Sequence, residues 1–162
     1  MRLAVSAVLA LVLVGCGAEP VPNGDAGASI TPMPRVQLGT GTSSFVELPE
    51  TGGTVELVMG PQGGYHVDVA IRIWDLDPDR ISVIYEVARV DGAVLSTTPF
   101  VFDPGRFVRE GDHLVHTGDF TVLEITGPAD VTGDEVELRV VATAQDGTTA
   151  MDARRATVVD EL

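Results

Sequence analysis

The chain has 162 residues, 44% of them hydrophobic, with 24 Asp and Glu against 10 basic residues, all of them arginine. That length suits one compact domain with short accessories, and the hydrophobic content, laid out in long alternating stretches, excludes a disordered acidic chain. A net charge of −14 argues against a nucleic-acid partner, since phosphates are held by basic faces, and against an electrostatic grip on anionic lipid.

The first predicted element is Met1–Gly15. Arg2 supplies one positive charge, and Leu3 to Val14 is an uncharged run of twelve residues, apolar apart from Ser6. A membrane-spanning helix needs roughly 20 apolar residues, so this run is too short to cross and reads instead as the core of a secretory signal. It ends in Leu13-Val14-Gly15-Cys16, which holds the only cysteine of the chain. The segment resembles the lipobox of bacterial lipoproteins. That resemblance implies cleavage between Gly15 and Cys16, acylation of Cys16, and attachment to a membrane through the lipid. An ordinary signal peptide with a coincidental cysteine, or a short membrane anchor, is the alternative. One acyl chain holds only marginally, at about 0.8 kcal/mol per buried CH₂; the several chains of the lipoprotein modification make release negligible. With Cys16 so used, no thiol remains for a disulfide, and the folded part must be stabilised by its core. In the same family an Asp directly after the cysteine goes with inner-membrane retention. Gly17 stands there, which implies the outer membrane.

Residues 16–37 read as the lipidated cysteine and a linker. The stretch GAEPVPNGDAGASITPMPR contains four prolines and three glycines and shows no periodic apolar face. Its composition predicts a semi-extended spacer that holds the domain off the bilayer.

From residue 38 to 162 the hydrophobic period is two. In TVELVM the apolar set is Val55, Leu57 and Met59; in YHVDVAIRIW it is Tyr65, Val67, Val69, Ile71 and Ile73. In ISVIYEV it is Ile81, Val83, Tyr85 and Val87, and in EVELRVVATA it is Val136, Leu138, Val140, Ala142 and Ala144. Such segments are strands with one face on a core and one in water. Turn signals separate them: Gly60-Pro61-Gln62-Gly63-Gly64, Asp77-Pro78-Asp79, Asp91-Gly92, Glu110-Gly111-Asp112, Gly118-Asp119, Gly127-Pro128 and Asp146-Gly147. Asp91-Gly92 favours a two-residue hairpin, and a last strand is expected near Arg155–Val159. No helix is expected outside the signal segment. The pattern predicts an all-β antiparallel sandwich of about seven to nine strands, with a small closed β-barrel as the alternative. The ending DEVELRVVATAQDGTTAMDARRATVV looks like the last hairpin of immunoglobulin-like bacterial surface domains, which implies an immunoglobulin-like topology without the Cys–Trp–Cys signature.

Four features bear on chemistry. MGPQGGYH, at 59–66, resembles a segment of uncharacterised lipoproteins of high-GC Gram-negative bacteria. A Gly-rich loop can present backbone N–H groups to a ligand, but neither the lysine nor the helix of a nucleotide-binding loop follows. It is therefore either a strand connection or a ligand loop, with Gln62, Tyr65 and His66 as the recognition residues. Asp75, Asp77, Asp79 and Glu86 fall at positions 1, 3, 5 and 12 of a calcium-loop frame, yet Arg80 replaces the required glycine and Pro78 stiffens the turn. This leaves a looser metal site on Asp75, Asp77 and Asp79, or a solvated turn in which Asp75 or Asp79 caps backbone N–H groups. His66, His113 and His116 are the only histidines. Together they could bind zinc or copper if the fold gathered them, but an odd separation puts His113 and His116 on opposite faces of one strand, and the other reading is two or three surface histidines. Trp74, on the polar face of its strand, is expected to mark an interaction patch with Ile84 or Val141, or to pack under a loop or an arginine stem such as that of Arg72.

Catalytic signatures are missing: there is no G-x-S-x-G elbow, no H-E-x-x-H and no free thiol nucleophile. The sequence reads as a lipid-anchored envelope protein, without cofactor or enzymatic activity, acting as a binding or structural module toward envelope or surface proteins. The alternative is a calcium-, copper- or zinc-binding envelope protein.

Overall fold

The computed structural model of the chain describes residues 33–160; the signal segment, Cys16 and the linker as far as residue 32 lie outside the described residues. The described part contains ten strands: β1 (Arg35–Thr40), β2 (Val46–Glu47), β3 (Gly53–Met59), β4 (Tyr65–Trp74), β5 (Ile81–Arg89), β6 (Val94–Phe102), β7 (Val108–Glu110), β8 (His113–Leu123), β9 (Glu135–Thr143) and β10 (Thr149–Val159). Two 3₁₀ turns, Pro104–Arg106 and Pro128–Asp130, are the only helical pieces among the described residues.

The strands form two layers joined at one edge. In the first, β7, β8 and β4 lie side by side, and the far edge of β4 is shared. β1 pairs with its C-terminal half, from Arg35 opposite Trp74 to Gly39 opposite Ala70, and β3 pairs with its N-terminal end, Leu57 opposite Val67. In the second, the order is β6, β5, β9, β10, and then the first half of β3. β3 thus leaves one sheet and enters the other. Its pairing with β10 is parallel, where the alternation pattern pointed to antiparallel neighbours throughout. The opposite edge stays open: β6 pairs only with β5, and β7 only with β8, so the sheet does not close into a barrel. Hydroxyl groups tie that edge instead. Thr121 on β8 contacts Ser96 and Thr98 on β6 at 2.6 and 2.8 Å, and Glu124 N–H donates to the Leu95 carbonyl at 2.7 Å. The order β7-β8-β4-β1 facing β6-β5-β9-β10 is that of an immunoglobulin-like sandwich with one extra edge strand.

Alternation places the core as expected. Val67, Val69, Ile71 and Ile73 of β4, all four predicted inner residues of β5, and Val136, Leu138 and Val140 of β9 belong to one buried cluster. With no disulfide linking the sheets, branched aliphatic side chains meet between them, each contributing about 1.5–3 kcal/mol by burial. Met59 departs from the expectation. It ends β3 and stands 56% exposed, because the strand runs out before the core does.

Three hairpins share one loop. Arg89 N–H donates to the Ala93 carbonyl and Gly92 N–H to the Arg89 carbonyl; Gly92 has φ 92°. The Asp91-Gly92 turn is therefore a three-residue loop closed by a left-handed glycine, rather than a two-residue hairpin. The β9–β10 and β3–β4 connections repeat the same pair of bonds. Gly118-Asp119 separates no strands; it is a bulge inside β8, where the register to β4 shifts between Val69 and Ile71. The first strand begins at Arg35, inside the stretch read as linker, and the last at Thr149, well before Arg155.

Candidate functional site

The β3–β4 loop builds an apolar concavity. Pro61 presets the second position of a turn in which Gly63 N–H donates to the Gly60 carbonyl at 3.0 Å. Gly63 and Gly64 then take φ of 75° and 106°, conformations that a side chain would strain. This brings the tip over the outer face of β4 and β8. A cavity of about 470 Å³ lies there, walled by Pro61, Gln62, Tyr65, His66, Phe120 and Val122. Gln62, Tyr65 and His66, singled out in the sequence, therefore share one cavity. Phe120 and Val122 were not singled out. They are 49% and 50% exposed, and they face outward because Asp119, Thr121 and Leu123 face the core. The His66 ring rests against Phe120 at 5.0 Å, tilted 53°, and its Nε2 lies 3.7 Å from Asp68 Oδ1.

The other histidines behave differently. His113 packs outward on Trp74, ring centres 4.9 Å apart. Its Nδ1 lies 3.0 Å from the Asp112 carboxylate, and that hydrogen bond holds Asp112 below the usual carboxylate range. His116 turns inward, as the parity argument requires, but it is not a surface residue: it is 5% exposed, between Phe102 and Phe107. Asp119, equally buried, joins it across the bulge. His116 Nε2 meets Asp119 Oδ1 at 3.0 Å, and His116 Nδ1 meets the Arg106 carbonyl at 2.7 Å. Tyr85 Oη donates to Asp119 Oδ2 at 3.1 Å. Both imidazole nitrogens thus face oxygen acceptors, which only the imidazolium can satisfy. Burial alone pulls His116 down, but the bonds to Asp119 and the Arg106 carbonyl outweigh it, and the imidazole is held above its ordinary value. Burial, then the Asp119 charge, pushes the Tyr85 phenol well up. With both nitrogens occupied, His116 offers no free lone pair for general-base work.

The Asp75–Arg80 turn is capped by a different aspartate than the sequence pointed to: Asp79 N–H donates to Asp77 Oδ1 at 2.9 Å. Among the described residues no three His, Cys, Asp or Glu side chains converge to hold a metal ion. Trp74 lies under the guanidinium of Arg35, 3.7 Å from its ring centre; Arg72, the expected partner, lies instead over Phe45 at 4.1 Å.

No family model matches the chain, and no curated protein matches it. Among solved structures it is similar to one titled "Structure or murine CRIg", at 10% identity and a TM-score of 0.35, over 80% of this chain and 99% of that one. A likeness of that size adds nothing to the strand order described above.

Proposed function

We propose that the protein is a lipid-anchored component of the cell envelope whose sandwich serves as a non-enzymatic binding module, with the β3–β4 loop and the adjoining face of β4 and β8 as its recognition surface. The observation that carries this reading is the cavity under Pro61 and Gln62, where half-exposed Phe120 and Val122 line an apolar concavity. Water-exposed aromatic and branched side chains gathered around a glycine-braced loop suit partner binding. The anchor rests on Leu13-Val14-Gly15-Cys16 and its uncharged leader, and Gly17 after the cysteine favours the outer membrane.

The test is intact-mass spectrometry of the chain purified from its own envelope, with membrane fractionation. The expected mass begins at Cys16 and carries acyl chains, and Cys16→Ser is expected to leave the chain unprocessed and unacylated. A bare cysteine at that position, or unmodified chain free in the medium, overturns the anchor.

A further inference from the structure

A second concavity adjoins the first. Where β4 exchanges β1 for β3 as its edge partner, a fork opens around Asp68. A cavity of about 350 Å³ occupies it, with Glu56, Asp68, Thr40, Thr42 and Thr54 in its lining; the Thr40 hydroxyl donates to the Asp68 carbonyl at 2.9 Å. The fork follows from the topology. β1 pairs as far as Ala70, and β3 joins only at Val67, so the backbone between them is left without a neighbouring strand on that side.

The two cavities meet at one cross-strand pair. Asp68, which lines the fork, stands opposite Phe120, which lines the apolar cavity. Their difference in charge is sharp. Neither cavity has an arginine in its lining, and the chain has no lysine. Glu56 has no ion-pair partner among the described residues, and His66 Nε2 lies 3.7 Å from Asp68 Oδ1. The surface is thus acidic in one half and aromatic in the other, with His66 and Asp68 marking the halves two residues apart along β4. In an extended chain, residues two apart point the same way with a spacing of roughly 6.6 Å.

We infer that this surface binds an extended segment of a basic partner protein, in which an Arg or Lys two residues from a large apolar side chain sets its cation in the Glu56–Asp68 fork and its apolar side chain against Phe120 and His66. Charge selects the occupant. A second copy of this chain carries the same net charge of −14, and it would be repelled, as would anionic lipid or nucleic acid. The inference rests on the proposed recognition surface and narrows it to one partner chemistry.

The test uses the full chain in mild detergent and the peptide Arg-Ala-Phe-Ala-Arg-Ala-Phe-amide, carrying fluorescein on its N-terminal amine, followed by anisotropy. Saturable binding is expected, weakening with added salt. Replacing both arginines of the peptide with Glu should abolish it, and replacing both phenylalanines with Gly should weaken it about tenfold or more. On the protein side, the double change Glu56→Gln with Asp68→Asn, and separately Phe120→Ser, should each cost a similar factor. The double change Asp75→Asn with Asp79→Asn, at the other end of β4, should cost none. Equal binding by the Gly and Phe peptides to the unmodified chain overturns the inference, as does failure of the Arg–Phe peptide to bind or equal loss with the remote variant. The peptide comparison on unmodified chain keeps the test decisive even where a variant misfolds. A bare Cys16 with the peptide still bound removes the anchor alone; an acylated chain that ignores the peptide removes this inference alone.

Discussion

The Asp119→Ala substitution bears directly on the buried network. In the folded protein Asp119 accepts from Tyr85 and from His116, and both donors are sealed from water. Truncation leaves two buried donors without acceptors, at about 1–3 kcal/mol each, and removes the anion beside a buried imidazolium, a kind of loss that costs about 3–5 kcal/mol. The two figures describe the same event, so the expected loss is about 3–5 kcal/mol near pH 6. Whole domains are stable by about 5–15 kcal/mol, so this takes a large share. Urea unfolding of the full chain, followed by circular dichroism, measures it. The pH dependence supplies a second arm. His116 is raised in the folded state, so its contribution is fully present below about 6.5, the unfolded value, and is lost as pH rises through the folded value above it. Unmodified protein is therefore expected to lose stability on going from about pH 6 to about pH 9, and Asp119→Ala to lose much less over that interval. A cost below about 1 kcal/mol, or a flat pH profile for the unmodified chain, refutes the imidazolium reading.

Two further substitutions separate packing from surface charge. At Gly39 an added Cβ would stand 2.5 Å from the Phe45 ring and from the Val46 carbonyl. Gly39→Ala is therefore expected to cost about 1–3 kcal/mol, read as a lower melting temperature, and an unchanged melt would show that the 43–45 loop does not press on β1. Arg139 bridges Glu86 and Glu137 at 3.0 and 2.6 Å on the open face of the second sheet, yet is 48% exposed. Arg139→Ala is expected to change stability by under about 1 kcal/mol in the same melting assay; a larger loss would mean that this ladder is covered by something in solution.

Period-two patterning carried the core because it needs only local information. Each inner residue of β5 and β9 named from alternation is buried, and the sides of β4 sort correctly up to the loop that covers them. Ala70 lies on the polar side of β4 and is nonetheless fully buried; it stands opposite Gly39, over which the Phe45 ring lies. Nothing local announces that residues 43–45 fold back. The acidic fork was equally illegible, since it exists only because two strands that are not adjacent in sequence divide the edge of a third. Half of the apolar cavity could be found in the string: GGYH signals a tight loop. Phe120 and Val122 could be reached only by knowing that β8 lies beside β4.

The bulge shows where the parity rule stops. Odd separation puts residues of one strand on opposite faces, and for His113 and His116 that holds: one packs on Trp74, the other in the core. The same rule applied to His116 and Asp119 would forbid the contact that organises the interior. Gly118 breaks it. With φ 83°, a conformation open to glycine, it lets Thr117 and Gly118 together stand against the single residue Ala70. The inserted residue restores Asp119 to the inner face. HTGD thus has the signature of a turn, an aspartate beside a glycine, but lies in the middle of an eleven-residue strand. What distinguishes the two is the alternation on either side. Leu114 and His116 before the glycine, and Asp119, Thr121 and Leu123 after it, keep to one face only if one extra residue is counted between them. A phase shift in apolar period across a glycine, with strand character continuing on both sides, is therefore a bulge signal, and here it is the feature that allows a buried Tyr–Asp–His network to form between the sheets.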